Sequence, residues 1–244
     1  MSFREGHYFS FDENKNYTGG ENNHPEIQIS EYTSEELSKL WLKTLKKGMH
    51  GICFSMYENH QKPGDVIYGE QVNRRIQILK PYAKWVRSFS CIEGNEHIPR
   101  IAHQNGMKTL VGAWLGNDLE KNEIEIEALI SLANEGCVTI AAVGNEVMYR
   151  NDLTEDQLLE YIHRVKEALP NIPVGYVDAY YEFSHRPRIT EICDVILTNC
   201  YPYWEGCPIE YSFHHIDLGQ LCKYKALHLC PSSKQRQLMY LTHR

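Results

Sequence analysis

Val138-Thr139-Ile140-Ala141-Ala142-Val143 is an apolar run that stops at Gly144 and is followed directly by Asn145-Glu146-Val147. A short apolar run bounded by turn residues is typical of a strand that is buried on both faces of a parallel sheet. In a barrel of alternating strands and helices, catalytic groups lie at the carboxyl ends of the strands. An acid held there by a rigid strand, with an amide beside it, can serve as general acid and base in acetal chemistry. The run therefore predicts a buried strand that presents Glu146.

The alternation of amphipathic helix and apolar run recurs on both sides of this stretch. Residues 33–36 (Thr-Ser-Glu-Glu) and 154–157 (Thr-Glu-Asp-Gln) have the form of capping boxes, and apolar residues at helical spacing follow each. Six segments are predicted to be buried strands. They are residues 51–56, 85–89, 109–114, 138–143, 173–177 and 195–199. Predicted helices precede or separate them, so the chain reads as six strand-and-helix units.

Two architectures have such units: an open doubly wound sheet and a (β/α)8 barrel. No glycine-rich loop follows an early strand, which weakens the case for a dinucleotide-binding sheet. Polar and aromatic residues follow the strands instead, as in a barrel whose active face lies at the strand ends. They are Tyr57, Asn145, Glu146, Asp178, Tyr201 and Trp204. The prediction is an α/β fold of the (β/α)8 TIM-barrel type. Since no seventh or eighth strand is predicted after Asn199, we expect the barrel to be incomplete.

The chain divides into three predicted regions. Residues 1–30 form a polar N-terminal lead-in, residues 31–213 the barrel, and residues 214–244 an atypical C-terminal tail. The tail lacks clean periodicity, and no Asp or Glu follows Asp217. Two interpretations remain open: a shifted reading frame or premature end, and a natural basic tail.

Composition limits the classes of partner. The formal net charge of −7 argues against nucleic acids and anionic membranes, and it is compatible with a neutral polymer. No run approaches the ~20 apolar residues of a membrane span, and residues 1–23 lack the apolar segment of a signal peptide. We therefore expect a cytoplasmic protein as the sequence stands. The eight cysteines form no CxxC pair and are expected to be buried free thiols.

Each candidate site residue has a functional and a structural interpretation. Glu146 is either an acid/base catalyst or the partner of a nearby cation such as Arg87 or Arg150. Asn145 either donates to a sugar hydroxyl or satisfies local backbone groups. Asp178 either orients a substrate hydroxyl or a neighbouring side chain, or caps the next helix.

The aromatic residues Tyr201 and Trp204 follow the last predicted strand. They either pack on the apolar faces of sugar rings or belong to the core. Metal chemistry has little support, because the twelve histidines include no HExxH or comparable set. A serine triad is equally unsupported, because no GxSxG elbow is present. No metal or cofactor is predicted.

Four segments together resemble glycoside hydrolase family 17, the β-1,3-glucanases. Residues 143–150 (VGNEVMYR) resemble the family's acid/base signature, and residues 85–89 (WVRSF) resemble its second-strand Val-Arg motif. Residues 101–115 resemble the third βα unit, and residues 194–204 (DVILTNCYPYW) resemble the sixth strand with its aromatic residues. The resemblance covers roughly residues 51–213.

The resemblance implies a (β/α)8 barrel and a retaining glycosidase that acts on β-1,3-glucan. Glu146 would be the general acid/base, Asn145 would contact the sugar at the reacting subsite, and Tyr201 would lie near it. Tyr57, Asp178 and Trp204 complete the predicted substrate-binding set. The family's nucleophile is a glutamate at the end of strand 7, in a Ser/Glu-Thr-Gly-Trp type of motif.

This sequence has no such motif, and its last glutamate is Glu210. We therefore expect a catalytically weak or inactive chain. Three other functions are considered: a β-1,3-glucanosyltransferase, a non-catalytic glucan-binding remnant, and a barrel enzyme of another class such as an aldolase or isomerase. Nothing in the sequence indicates an oligomeric state.

Overall fold

The computed structural model describes residues 32–202, 204–207 and 212, and the backbone of residues 237–241. Its sheet contains seven strands, and every pairing between neighbours is parallel. The strands are β1 (Met49–Cys53), β2 (Ala83–Ser88), β3 (Lys108–Ala113), β4 (Ile140–Asn145), β5 (Val174–Ala179), β6 (Val195–Asn199) and β7 (Gln237–Leu241). The helices are α1 (Ser34–Lys47), α2 (Gly69–Leu79), α3 (His97–Gln104), α4 (Leu119–Asn134), α5 (Val147–Arg150), α6 (Glu155–Ala168), α7 (Tyr180–His185) and α8 (Pro187–Ile192).

The strand order separates the two architectures that the sequence left open. Each strand hydrogen-bonds to the next one along the chain, in the order β1-β2-β3-β4-β5-β6-β7. A doubly wound sheet reverses its order at a switch point, whereas a barrel adds strands in one direction. The described sheet is therefore an incomplete (β/α)8 barrel, with β1 and β7 at its edges. This confirms the predicted fold class.

The prediction that no strand follows Asn199 is wrong. The backbone of β7 pairs in parallel with β6, from Val195 opposite Gln237 to Asn199 opposite Leu241. The five-residue run Gln-Leu-Met-Tyr-Leu is short and lies between basic and small polar residues, so periodicity alone does not distinguish it from a loop. The edge of β6 presents unpaired backbone N–H and C=O groups. Hydrogen bonds to these groups stabilise residues 237–241 as a strand.

The core has an outer and an inner part. The outer part lies between the sheet and its helices, where strand residues such as Val143 and Tyr176 meet Leu129 of α4 and Ile162 of α6. The inner part is small and lines the inside of the curved sheet. It consists of Leu110, Ile140, Ala142, Val177, Val195 and Leu197. Alternate residues of one strand thus serve the two sides, as barrel geometry requires.

Both predicted capping boxes are present. The Thr33 hydroxyl accepts from the backbone N–H of Glu36 at 3.3 Å, and Thr154 accepts from Gln157 at the same distance. The two helices that begin there differ in burial: α6 buries four residues, whereas α1 buries none. The short helices α5, α7 and α8 were not predicted, because four to six residues are too few for a periodic pattern.

The six cysteines among the described residues form no disulfide bond, and all except the half-buried Cys53 are buried. This agrees with the expected free thiols, while Cys222 and Cys230 lie outside the described residues. None of the helices in the described part of the chain combines the length and the apolar character that a bilayer span requires. The same part contains no cluster of three or more His, Cys, Asp or Glu side chains with the geometry of a metal site.

Candidate active site

Strand β4 ends in an unusual backbone conformation that presents Glu146. The strand continues to Asn145, and its pairing with β5 shifts register between Ala142 and Asn145. Glu146 then adopts a left-handed conformation with φ of 54°, while its N–H donates to the carbonyl of Val177 at 2.8 Å. Such a conformation is uncommon for a residue other than glycine and is found preferentially at functional sites. The irregular end of β4 thus turns the Glu146 side chain out of the regular strand.

Residues at the end of β6 hold the Glu146 carboxylate. Asn199 Nδ2 donates to Glu146 Oε1 at 2.5 Å, and the Tyr201 hydroxyl forms a hydrogen bond with the same side chain. Burial raises the pKa of the Tyr201 hydroxyl, and the negative charge of Glu146 raises it further. Tyr201 therefore remains a neutral hydrogen-bond donor. The structure brings together Glu146 and Tyr201, which the sequence placed on separate strands.

Asn145 is held by two arginines. Its Oδ1 accepts from Arg87 Nη2 at 2.6 Å, and its backbone carbonyl accepts from Arg150. Asn199 Nδ2 lies 3.5 Å from the same Oδ1. The sequence offers both arginines as ion-pair partners of Glu146. Among the described residues neither forms such a pair. Burial lowers the pKa of the Arg87 guanidinium, and interactions with Cys53, Tyr201 and Glu146 oppose that effect.

The Arg150 guanidinium also stabilises the turn after β4. It donates to the carbonyl of Leu115 at 2.9 Å and pairs with Asp152 at 2.6 Å. It also lies over the Trp114 ring, 4.7 Å from the ring centroid. The conformation after β4 is therefore fixed by contacts to the end of β3.

Asp178 lies behind the turn and is fully buried. Its carboxylate accepts from the Tyr176 hydroxyl, from the N–H of Ala179 at 2.7 Å and from the N–H of Tyr149 at 3.4 Å. The Tyr176 hydroxyl in turn accepts from the N–H of Met148 at 3.0 Å. Burial raises the pKa of Asp178 to about 7, and the nearby charges of Glu182 and Glu146 add to that increase. The contacts of Asp178 are thus to protein groups that support the segment after Glu146.

Two predicted substrate-binding residues lie outside the cluster around Glu146. Tyr57 is half-buried in the wall of a cavity at the ends of β1, β2 and β3. Its hydroxyl interacts with the side chain of Asn95. Trp204 is 66% exposed, three residues beyond Tyr201. An aromatic face this open is accessible to a ligand.

Several site residues were not predicted as such. Arg87 and Asn199 contact Asn145 and Glu146 directly, and Tyr176 supports the turn. Arg87 and Asn199 are buried polar residues, and each lies within one residue of its strand's carboxyl end. That combination is the signal that could have identified them, because a buried polar side chain needs a partner.

The fold and this cluster agree with comparisons to known proteins. The BtgE/BtgC glycoside hydrolase domain matches residues 51–232, which is most of the chain. The chain therefore belongs to the BtgE/BtgC glycoside hydrolase family. The predicted resemblance to the family 17 β-1,3-glucanases is confirmed.

Curated relatives have the name glucan 1,3-beta-glucosidase. The protein from Saccharomyces cerevisiae is 26% identical over 158 residues, covering 57% of this chain and 50% of its own length. The protein from Schizosaccharomyces pombe is 28% identical over 157 residues, covering 59% of this chain and 49% of its own length. The chain thus spans about half the length of these relatives.

Among solved structures, a glycoside hydrolase family 17 β-1,3-glucanosyltransferase from Rhizomucor miehei superposes with a TM-score of 0.68 at 24% identity. The alignment covers 80% of this chain and 71% of the other. An active-site mutant of a Rhizomucor miehei β-1,3-glucanosyltransferase in complex with laminaritriose gives the same score. At this identity the likeness shows the fold alone.

Proposed function

We propose that this chain acts on β-1,3-glucan, with Glu146 as the acid/base residue of a retaining glycosidase site. The observation that carries the proposal is the Glu146 carboxylate at the end of β4, hydrogen-bonded by Asn199 and Tyr201. Beside it, Arg87 fixes the Asn145 amide. The glucan-acting relatives named above support the choice of substrate.

In a retaining mechanism one carboxyl group first donates a proton to the glycosidic oxygen and later removes one from the attacking water. Glu146 is assigned both steps. Asn199 and Tyr201 hold its carboxylate through hydrogen bonds that fix the direction of proton transfer. Because Oδ1 of Asn145 is occupied by Arg87, its Nδ2 is assigned as a donor to a sugar hydroxyl next to the reacting carbon.

Two buried polar atoms around Glu146 also support a ligand-binding site. Arg87 Nε and Asn199 Oδ1 have no hydrogen-bond partner among the described residues. An unpaired buried polar atom typically costs about 1–3 kcal/mol. Unsatisfied buried polar atoms of this kind are found at catalytic sites.

The second carboxylate is the missing part of this mechanism. The nucleophile of the family would follow β7, but residues 242–244 are Thr-His-Arg and no Asp or Glu follows Asp217. Asp178 is fully buried and bound to protein groups, so it is not assigned to attack. We infer that this 244-residue chain binds glucan and holds the acid/base half of the site, but does not complete the double displacement.

Chemical rescue tests this proposal. Azide can replace an absent nucleophile: it forms a C–N bond at the anomeric carbon of phenyl β-laminaribioside while the C–O bond breaks, and Glu146 donates its proton to the departing phenolate. We expect no phenol release without azide. With azide we expect release of phenol and α-laminaribiosyl azide, at a rate reduced at least ~100-fold in Glu146→Gln, as is typical for loss of a general acid.

Glu127→Gln is the matched control, since Glu127 is an exposed glutamate on α4. It is expected to leave the azide reaction unchanged. Efficient turnover of laminari-oligosaccharides without azide would overturn the inference that the nucleophile is missing. Azide-dependent release that is equally fast in Glu146→Gln would overturn the acid/base assignment. Glucan binding without any azide reaction would favour the non-catalytic glucan-binding remnant.

A further inference from the structure

Helix α1 presents an apolar face that is not buried in the described part of the chain. None of its 14 residues is buried, and three of its apolar side chains are between 41% and 54% exposed. The apolar residues of α1 are Leu37, Leu40, Trp41, Leu42 and Leu45. An amphipathic helix normally packs such a face against a sheet or another helix. This face of α1 is therefore suited to a partner.

The charged side chains of α1 lie on the opposite face of the helix. At 3.6 residues per turn they fall within an arc of about 120°. They are Glu35, Glu36, Lys39, Lys43, Lys46 and Lys47. Their signs differ along the axis, because the first turn contains the two glutamates and the last turn contains two lysines. Such an order complements the helix macrodipole in any single helix. The spacing of the charges is what indicates a particular partner.

This spacing is symmetric about the middle of the helix. Glu35 and Lys46 are 11 residues apart, which is about three turns, so both lie on one flank of the apolar face. Glu36 and Lys47 have the same separation and lie on the other flank. The midpoint of each pair lies within one residue of Trp41. Each flank thus has a negative end and a positive end at equal distances from one central residue.

The apolar residues share this centre. Leu37 and Leu45 lie four residues before and after Trp41, about one turn on either side. A two-fold axis through Trp41 places Leu37 of one copy opposite Leu45 of the other. In two antiparallel helices related in this way, each flank meets the same flank of the other copy, so Glu35 faces Lys46. Two parallel copies would instead bring like charges together. The face of α1 is therefore complementary to itself in the antiparallel direction.

The present contacts of the two glutamates are compatible with such a pairing. Glu35 pairs with Lys39 at 2.7 Å, but both side chains are more than 70% exposed, and an exposed pair of this kind contributes little. Glu36 accepts from the N–H of Thr33 at 2.8 Å and from its hydroxyl at 2.7 Å, and both bonds use Oε2. These hydrogen bonds lower the pKa of the Glu36 carboxyl, which is therefore ionised at neutral pH. Its Oε1 can accept from a lysine of another chain.

We propose that α1 is a self-association surface, on which a second copy of this chain packs in the antiparallel direction about a two-fold axis at Trp41. The contact buries the apolar face, and each of the ion pairs Glu35–Lys46 and Glu36–Lys47 forms twice. A helix of this length measures about 21 Å, so it offers less area than the ~1,200–2,000 Å² of a standard interface. We therefore expect a reversible dimer with a dissociation constant in the micromolar range. The proposal does not depend on the substrate of the chain.

Sedimentation velocity of the full chain at increasing concentrations tests the proposal. Lys46→Glu places a negative charge opposite Glu35 of the other copy, at two symmetric positions. We expect it to weaken dimerisation by about tenfold to thirtyfold, because two exposed ion pairs become two repulsions. Lys43→Glu is the matched control, since it changes the net charge of the same helix equally but lies on the face away from the apolar residues. It is expected to leave the dissociation constant unchanged.

A second variant tests the antiparallel arrangement. Glu35→Lys combined with Lys46→Glu exchanges the two charges on one flank, so opposite signs again face each other across the two-fold axis. We expect this double variant to recover the dissociation constant of wild type. Because no residue of α1 is buried, these substitutions should leave the fold intact, and equal thermal unfolding midpoints measured by circular dichroism would confirm it.

Three results would contradict the proposal. A chain that stays monomeric at every concentration does so directly, and its binding to phosphatidylcholine vesicles would assign the apolar face to a lipid surface instead. A dimer that Lys46→Glu leaves intact, or that Lys43→Glu weakens equally, would place the interface elsewhere. A dimer that is weakened by Lys46→Glu but not recovered in the double variant would exclude the antiparallel pairing about Trp41.

Discussion

Neighbouring side chains determine the position of Glu146, the proposed acid/base residue. Asn199 and Tyr201 from the end of β6 hold its carboxylate, and Arg87 from β2 holds the adjacent Asn145. The left-handed backbone at Glu146 is maintained because the segment after it is tied to β5 through Asp178 and Tyr176. The position of Glu146 therefore depends on at least three strands besides its own.

At the scale of single residues, Asp178 should make stability depend on pH. Its pKa of about 7 in the folded protein lies above its ordinary value of 3.8. Its contribution to stability is therefore fully present below pH ~4 and is lost as the pH rises through 7. Asp178→Asn removes this titration. We expect the free energy of unfolding of wild type, relative to Asp178→Asn, to fall by on the order of 2–4 kcal/mol between pH 4 and pH 8.

Urea unfolding at several pH values measures this effect. Asp156→Asn serves as the control, because Asp156 is an exposed aspartate paired with Arg188. That variant should track wild type across the range. A wild-type protein and an Asp178→Asn variant whose stabilities change in parallel would show that Asp178 is ionised in the folded state throughout.

The sequence predicts some of these residues and not others, for a physical reason. Glu146, Asn145 and Tyr201 directly end or follow apolar runs, so position along the chain suffices to select them. Arg87 and Asn199 belong to the strands themselves, and their role depends on which strands are neighbours. A polar residue near the end of a strand can be recognised from the sequence, but the partner that it contacts is tertiary information that local patterns lack.

At the scale of elements, the contact between β5 and β6 depends on Gly175. A Cβ at this position would clash with the backbone carbonyl of Val195 and lie 2.7 Å from Val195 Cγ1. Because a strand backbone cannot move aside easily, we expect Gly175→Ala to destabilise the protein by about 2–3 kcal/mol.

Gly116→Ala provides the comparison, since a Cβ there would meet no heavy atom within 4 Å. It is expected to change stability by at most about 0.5 kcal/mol. Thermal unfolding of both variants measures the difference. Equal midpoints for the two would mean that β5 and β6 are further apart than the structure places them.

Element boundaries show the same division between local and tertiary information. The predicted strand 195–199 coincides with β6, whereas β4 extends two residues beyond the predicted end at Val143. The sequence predicts that the strand stops at Gly144, but this residue adopts a positive φ within β4, where β4 and β5 shift register. A glycine in a strand permits either outcome, and the pairing with β5 determines which occurs.

At the scale of the whole molecule, stability should be distributed unevenly, and two helices offer a controlled comparison. Both α1 and α6 contain 14 residues and begin with a capping box, but only α6 buries a set of apolar side chains. If packing supplies most of helix stability, amide hydrogens of α6 should exchange far more slowly than those of α1. Hydrogen exchange followed by mass spectrometry measures this. Equal protection in the two helices would show that capping and propensity dominate.

The Arg87 guanidinium has a further consequence for the shape of the molecule. It contacts Asn145 of β4 and the Cys53 thiol of β1, and its charge interacts with Tyr201 beyond β6. One side chain of fixed length thus connects β2 to β4 across the carboxyl-terminal opening of the curved sheet. The diameter of a barrel grows with its number of strands. The contact between Arg87 and Asn145 therefore sets an upper limit on the width of this opening. In a related chain, a change in strand number that widens the opening would require another residue in place of Arg87.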